Sequence, residues 1–210
     1  MSTNNAIFID RDGTINIDKN YVHSIDNFFF IDNVIDAMIA LKKMNFFLII
    51  VTNQSGIARG LFTQYEFLLL TQWMVSYLGL HHVYIDAIYF CPHHIQGTVK
   101  QFQRACLCRK PKPGMLLDAK KRFNINMTTS YMVGDTENDM LAGQSAGIGT
   151  KVLVCSGSKK ITKKTKNTAN WIIESLASLP KMIGAHNHIN VYKCSVIFLF
   201  LMFYFVNLII

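Results

Sequence analysis

The run Phe46-Phe47-Leu48-Ile49-Ile50-Val51 is apolar without a break. A strand with one wet face alternates apolar and polar side chains, whereas a strand covered on both faces has no polar side to show. The run is far too short to cross a bilayer as a helix, which takes about 20 residues. It becomes β-branched toward its end and is stopped by Thr52-Asn53-Gln54-Ser55-Gly56, so it reads as a buried parallel strand. Shorter runs of the same kind are Ala6 to Ile9, Ala87 to Phe90, Ser130 to Val133, Lys151 to Val154 and Trp171 to Ile173. Between them fall helical periods. Val34, Ile35, Met38, Ile39 and Leu41 share one face and close on Lys42 and Lys43. Tyr65 to Leu80, Met115 to Phe123 and a segment opening at Met140 follow the same period. Strands alternating with helices predict an α/β fold with a doubly wound parallel sheet. Ligands of such sheets bind at the carboxyl ends of strands, near a topological switch point.

The chain loads those ends with reactive side chains. The first strand runs into Asp10-Arg11-Asp12-Gly13-Thr14, two carboxylates one residue apart. Carboxylates that converge repel unless a cation lies between them or one holds a proton. A metal-bound carboxylate can attack phosphorus, and a protonated neighbour can supply the leaving oxygen. Taken alone the pair is also compatible with an ordinary acidic turn or a metal-bound sugar-nucleotide site. An EF-hand is excluded, because Gly falls at the fourth position of the run and not the sixth. Thr52 with the amides of Asn53 to Ser55 offers a cradle for phosphate oxygens. Arg109-Lys110-Pro111-Lys112-Pro113 brings basic groups to a helix start, and Gly134-Asp135-Thr136-Glu137-Asn138-Asp139 forms a second acidic cluster after a strand. In the polar loop after Asp12, Asp18 and Tyr21 are positioned to reach back over the turn as substrate contacts.

Five cysteines is an odd number, and Cys91, Cys106 and Cys108 lie close together in sequence with His93 between them. The spacing C-x-H…C-x-C supplies three thiolates and one imidazole, the donor set of a closed tetrahedral zinc site in a reducing compartment. His94 is an alternative fourth ligand. Charged residues make up only 16% of the chain, and 21 Lys and Arg against 13 Asp and Glu give a net charge of +8. That balance suits anionic partners. The basic residues form no helical stripe interleaved with aromatics, so nucleic acid is not expected. Met1 to Asn5 is polar and the first apolar run is only four residues long, which predicts no secretory signal and a cytoplasmic chain.

Four segments in order, F-I-D-R-D-G-T, V-T-N-Q-S-G-I-A-R-G, R-K-P-K-P-G-M and Y-M-V-G-D, resemble the four motifs of the haloacid dehalogenase (HAD) superfamily of phosphatases. The C-P-H-H and C-L-C-R-K-P pieces are similar to those of its zinc-loop branch, and the likeness covers about Ala6 to Leu179. The resemblance implies a HAD-like Rossmannoid sheet with no large cap domain and a zinc-stabilised loop. It implies a Mg2+-dependent phosphoric monoester hydrolase with Asp10 as nucleophile, Asp12 as acid/base, and Thr52 and Lys110 holding the phosphoryl group. Magnesium would sit on Asp10, the Asp12 backbone carbonyl and Asp135, and zinc on Cys91, His93, Cys106 and Cys108. Substrate contacts would come from Asp10, Arg11, Asp12, Asp18, Lys19, Asn20, Tyr21, Thr52, Asn53, Gln54, Ser55, Arg109, Lys110 and Thr136. Members of the branch carry a basic residue at the position of Thr136, which is a departure here. The expected substrate is a small phosphorylated sugar, D-glycero-D-manno-heptose 1,7-bisphosphate cleaved at C7, with histidinol phosphate as the alternative. A zinc-stabilised basic binding module with vestigial motifs is the alternative of another class.

Residues 1–182 read as the phosphatase domain and 183–210 as an apolar tail of no assigned role. Val196 to Ile210 is interrupted only by Asn207 and falls short of a span, so membrane association of the tail is the lesser expectation and a monomer the greater.

Overall fold

The computed structural model describes residues 3–157 and 162–186. In chain order the elements are β1 (Ala6–Ile9), α1 (Val34–Lys43), β2 (Phe47–Asn53), α2 (Ser55–Ala58), α3 (Gln64–Leu80), β3 (Ala87–Cys91), α4 (Gly114–Phe123), β4 (Tyr131–Gly134), α5 (Glu137–Ser145), β5 (Thr150–Val154), α6 (Lys163–Thr168) and β6 (Trp171–Ile173). A last helix, α7, covers residues 179–186. All strand pairs are parallel, in the order β3-β2-β1-β4-β5-β6. The order reverses between β1 and β4, which makes the carboxyl ends of those two strands the switch point.

The alternation of each strand explains its uninterrupted apolar sequence. Ile7 and Ile9 of β1, Leu48 and Ile50 of β2, and Val133 of β4 pack on one face with α1, α3 and α7. Ala6, Phe8, Ile49, Val51 and Met132 pack on the other face with Met115, Leu116 and Ala119 of α4 and Ala142 of α5. Both faces are covered, so no position of a central strand is free to be polar.

Several boundaries differ from the sequence expectation, each for a local reason. β2 continues through Thr52 and Asn53, because its backbone keeps pairing with Phe90 and Cys91 of β3 after its side chains have turned polar. α5 opens at Glu137, not Met140: the Thr136 N–H donates to Asp139 Oδ2 at 3.0 Å, and this cap starts the helix a turn earlier. Between β5 and β6, where the sequence shows no apolar helical period, lies α6, whose Thr162 hydroxyl accepts from the Thr165 N–H at 3.1 Å. Ile183, just past the expected boundary at 182, is buried with Leu176 and Leu179 against the first face. The apolar run from Val196 lies outside the described residues. Among the described residues, no helix is long and apolar enough to cross a membrane.

The amino ends of the two strands that meet at the switch point are pinned by a buried hydroxyl. Ser130 Oγ accepts from the Ala6 N–H at 2.9 Å and donates to the Asn126 carbonyl at 2.6 Å, joining the start of β1 to the turn before β4. Ser130→Ala leaves the buried Ala6 donor unsatisfied and is expected to destabilise the fold by about 1–3 kcal/mol. Urea denaturation of the two proteins measures the difference, with an unchanged slope expected.

Candidate active site

The site is assembled where β1, β2 and β4 end side by side. Ile9 pairs with Ile50 and Val133, and the Asp10 N–H still donates to the Val133 carbonyl at 2.9 Å. Asp10 therefore leaves the sheet with its backbone fixed, with Thr52 near the end of β2 on one side and Asp135 just after β4 on the other. The turn after Asp10 is tight. Gly13 has φ +81°, and a Cβ there would lie 2.5 Å from Asp135 Oδ2, so both backbone conformation and space call for glycine.

Asp10, Asp135 and Asp139 are all buried, and their carboxylate oxygens lie within 4.8 Å of one another. Into this cluster comes Lys110, itself buried. Its ammonium donates to Asp10 Oδ1 at 2.8 Å and to the Val51 carbonyl at 2.7 Å, and stands 2.5 Å from Asp139 Oδ1. Burial alone would lower the Lys110 pKa, but Asp10 and Asp139 outweigh it and the pKa is raised, so the side chain is a fixed cation. Asp10 is pushed up to about 6, first by burial and then by Asp139 and Asp12, with Lys110 pulling the other way. Three carboxylates face one lysine. Hard oxygen donors with excess negative charge in a small buried volume fit Mg2+. The clustered side chains are Asp10, Asp135 and Asp139; the Asp12 carboxylate is engaged elsewhere.

Arg11, expected at the substrate, is turned into the protein and almost fully buried. Its guanidinium grips both oxygens of Asp12, with Nη2 at 2.8 Å from each, and also donates to the Val22 carbonyl. Asn16 Nδ2 and Gln54 Nε2 add donors to Asp12 at 3.0 Å each. Asn53 spends its amide on the backbone of Lys110, donating to the carbonyl and accepting from the N–H at 3.0 Å each, and so ties Lys110 to β2.

A cavity of about 230 Å³ opens over these groups, lined by Asp10, Asp12, Asp18, Asn20, Tyr21, Thr52, Asn53, Gln54, Ser55, Arg109, Lys110, Thr136, Asn138 and Asp139. Arg11 and Lys19 are not among the lining residues. The Lys19 ammonium lies 3.8 Å from the centre of the Phe29 ring instead. Asn16, Asn138 and Asp139 were not singled out from sequence. Asp139 had a readable signal, the T-x-x-D spacing of a capping box at Thr136, which also carries the residue to the strand end.

Beside the cavity, Cys91 at the end of β3 meets the loop that returns to Lys110. Its Sγ lies 3.4 Å from Cys106 Sγ and 3.2 Å from Cys108 Sγ, and Cys106 and Cys108 are 3.3 Å apart. His93 Nδ1 lies 3.8 Å from Cys91 Sγ and 3.4 Å from Cys108 Sγ. These separations are far above the roughly 2.05 Å of a disulfide and near the edges of a tetrahedron of ~2.3 Å Zn–S bonds. Four such donors fit Zn2+. His94 is turned away, its Nε2 3.1 Å from Arg59 Nη2, so His93 holds the fourth place.

A parallel 3-2-1-4-5-6 sheet with an aspartate pair after β1 and a buried lysine and acidic cluster at its switch point defines a HAD-like hydrolase, and a HAD-hydrolase-like family model matches residues 107–179. The D-glycero-β-D-manno-heptose-1,7-bisphosphate 7-phosphatase of Escherichia coli (strain K12) is 58% identical over 178 residues, covering 85% of this chain and 93% of that one. That of Yersinia pestis is 58% identical over 180 residues, covering 86% and 95%. Among solved structures, the D,D-heptose 1,7-bisphosphate phosphatase of B. bronchiseptica, complexed with magnesium and phosphate, superposes with a TM-score of 0.75 at 29% identity, covering 87% of this chain and 99% of that one. The chain belongs to the D-glycero-D-manno-heptose-1,7-bisphosphate 7-phosphatase family. HAD phosphatases use Mg2+, in keeping with the buried carboxylates found here.

Two outcomes follow from the geometry. One zinc per chain should copurify, and Cys106→Ser or Cys108→Ser is expected to lose it and to lower activity because the same loop carries Arg109 and Lys110. Metal analysis beside turnover tests this, and zinc-free wild-type protein would refute it. The second outcome concerns pH. Because the folded pKa of Asp10 lies above its ordinary 3.8, its protonation favours the metal-free fold at low pH, and that contribution is lost as pH rises through about 6. Mg2+ competes with the proton for the same carboxylate. Millimolar Mg2+ should therefore raise the melting temperature more at about pH 7.5 than at about pH 5, as read by thermal denaturation.

Proposed function

We propose that this chain removes the C7 phosphate of D-glycero-D-manno-heptose 1,7-bisphosphate through an aspartyl-phosphate on Asp10, as a Mg2+-dependent phosphoric monoester hydrolase. The observation that carries the chemistry is the buried Asp10, gripped by Lys110 at the floor of a polar cavity, with Asp12 on the cavity wall. The substrate follows from relatives 58% identical over most of their length that are named for it. Histidinol phosphate, the alternative weighed from sequence, is dropped on the same ground. A vestigial binding module is dropped because the carboxylates, Lys110 and Thr52 converge on one cavity.

In the first half-reaction Asp10 attacks phosphorus and Asp12 gives its proton to the sugar oxygen that leaves. In the second, Asp12 takes a proton from the water that attacks the aspartyl-phosphate, which returns both carboxyl groups to their starting states. Asp10, Asp135 and Asp139 would hold Mg2+, which when bound would supply charge neutralisation for the phosphoryl group. Lys110 and the Thr52 hydroxyl hold that group in place, which is most of what phosphoryl transfer asks of a protein. The Lys110 ammonium has Asp10, Asp139 and Val51 as partners, so it takes up the phosphoryl oxygens by giving up part of this set.

Arg109 is the residue of choice for the rest of the substrate. It lines the catalytic cavity and also a neighbouring one of about 390 Å³ that His94, Arg104 and Lys112 border. A second dianion on the substrate meets positive charge there. Asp18, Asn20 and Tyr21 also line the catalytic cavity, where a sugar's hydroxyls would find partners. On this reading the enzyme works in the cytoplasm as a monomer, in the supply of ADP-heptose for the lipopolysaccharide core. Residues 1–182 with the rest of α7 form the working domain, and the apolar tail takes no part in turnover.

Side-by-side kinetics test the reading. Heptose 1,7-bisphosphate should be cleaved at C7 with much higher kcat/KM than histidinol phosphate. Arg109→Ala should narrow the gap by roughly 10–100-fold, the equivalent of about 1.5–3 kcal/mol for a charged hydrogen bond. Asp10→Asn should abolish turnover of both while zinc content and fold are kept. Activity within tenfold of the parent would remove Asp10 from the role of nucleophile.

A further inference from the structure

We infer that Gln54 is a positioning residue for proton transfer: its side-chain amide sets which oxygen of Asp12 carries the proton and which way the Thr52 hydroxyl points. The inference rests on Asp12 acting as the acid/base, and the test below separates failure of one from failure of the other.

Gln54 is buried at the edge of the cavity, directly after β2. Its backbone N–H is fixed by the Cys91 carbonyl at 2.8 Å, so the residue hangs from the end of β3. Its amide nitrogen has two protons and both are used. One goes to Asp12 Oδ2 at 3.0 Å and the other to Thr52 Oγ1 at 2.9 Å.

Each Asp12 oxygen has room for about two donors. Oδ1 already receives Arg11 Nε at 3.1 Å, Arg11 Nη2 at 2.8 Å and Asn16 Nδ2 at 3.0 Å. No site for a proton is left on it. Oδ2 receives only Gln54 and the Nη2 group that it shares with Oδ1. When Asp12 is protonated, the shared Nη2 settles on Oδ1 and the proton rides on Oδ2. Gln54 occupies the other lone pair of Oδ2 and thereby directs the O–H. Arg11 cannot assume this task by moving, because Nη2 is also held by the Val22 carbonyl at 2.6 Å and the side chain is buried.

The same amide acts on Thr52. A hydroxyl that accepts from Gln54 keeps its own proton free, and Thr52 lines the cavity where the phosphoryl group is to sit. One amide thus orients the donor to the leaving oxygen and the donor to the transferring group. The proton ledger is closed: the bond from Asp10 to phosphorus forms, the phosphorus–sugar oxygen bond breaks, and the proton on Asp12 Oδ2 passes to that oxygen. In hydrolysis the water proton returns to Oδ2, the Asp10–phosphorus bond breaks, and inorganic phosphate leaves.

The test compares leaving groups in the full-length, zinc- and Mg2+-loaded enzyme. A sugar alkoxide needs a proton to leave, whereas p-nitrophenolate does not. General acid catalysis is worth ~10²–10⁴-fold. Gln54→Leu is therefore expected to lower kcat on the heptose bisphosphate at least about tenfold more than on p-nitrophenyl phosphate, with KM for the sugar little changed. The loss common to both substrates reports the Thr52 hydroxyl. Gln54→Glu serves as a second variant of similar size. An ionised carboxyl accepts and does not donate, so it leaves Asp12 Oδ2 and Thr52 Oγ1 without the amide's protons and should show the same selective loss on the sugar. Equal losses on the two substrates with either Gln54→Leu or Gln54→Glu would overturn the inference. Asp12→Asn is the reference. If it shows the selective loss on the sugar and Gln54→Leu does not, Asp12 stands and Gln54 falls. Should Asp12→Asn slow both substrates equally, the acid/base reading fails and takes the inference with it.

Discussion

The ammonium of Lys110, packed against Asp10, Asp139 and the Val51 carbonyl, is the contact on which the rest of the molecule depends. A lysine with almost no exposed surface is unfavourable unless its partners return what it loses in hydration. Here the partners come from the end of β1, from β2 and from the first turn of α5, so the ion pair forms only when these three elements are in register. The demand works in both directions. A slip of one residue in β1 would turn Asp10 away and leave a buried cation unpaired. The apolar strands set the architecture, and the charge cluster selects the one register that satisfies it.

Around this contact the polar side chains divide into those that face the cavity and those that hold them. Arg11, Asn16 and Gln54 fasten Asp12, Asn53 fastens Lys110, and Thr136 fastens Asp139. Groups aimed this tightly need little reorganisation at the moment of reaction, and that preorganisation is where electrostatic catalysis gets most of its strength. The large positive balance of the chain is consistent with an anionic substrate, but inside the site the excess is negative until a metal ion arrives.

Much of this was legible in the sequence, and the pattern of hits has a physical basis. β1 and β6 were read to the residue because a polar or turn residue flanks each apolar run directly. β2 was read short because hydrogen-bond pairing is a property of the backbone, and Thr52 and Asn53 keep it after their side chains have become polar. Asp10, Thr52, Lys110 and Asp135 could be grouped because strand ends in a doubly wound sheet converge. The gathering of Cys91, Cys106 and Cys108 with a histidine was readable from spacing, while placing His93 and not His94 beside them needed the position of Arg59. What the sequence did not disclose is which charges serve the cavity and which serve other charges. Arg11 sits between two site aspartates and looks like a substrate contact, yet it points inward. Asp139 was seen as part of an acidic stretch without its place at Lys110, since the start of α5 had been set too late.

The cluster of Cys91, His93, Cys106 and Cys108 has a consequence for how such an enzyme can diverge. Residues 92–108 run from the end of β3 back towards Lys110, with these four donors gathering the two ends and Phe102 anchoring the middle against Ile57, Phe62 and Phe67. Away from those anchors the loop is less bound by the constraint that governs the sheet, where a single methylene out of place is felt. Substitutions between the donors can reshape the rim while the phosphoryl-transfer centre below keeps its register. The same loop delivers Lys110 to that centre, so the four donors fix one piece of the chemistry in place while the stretch between them is left to vary.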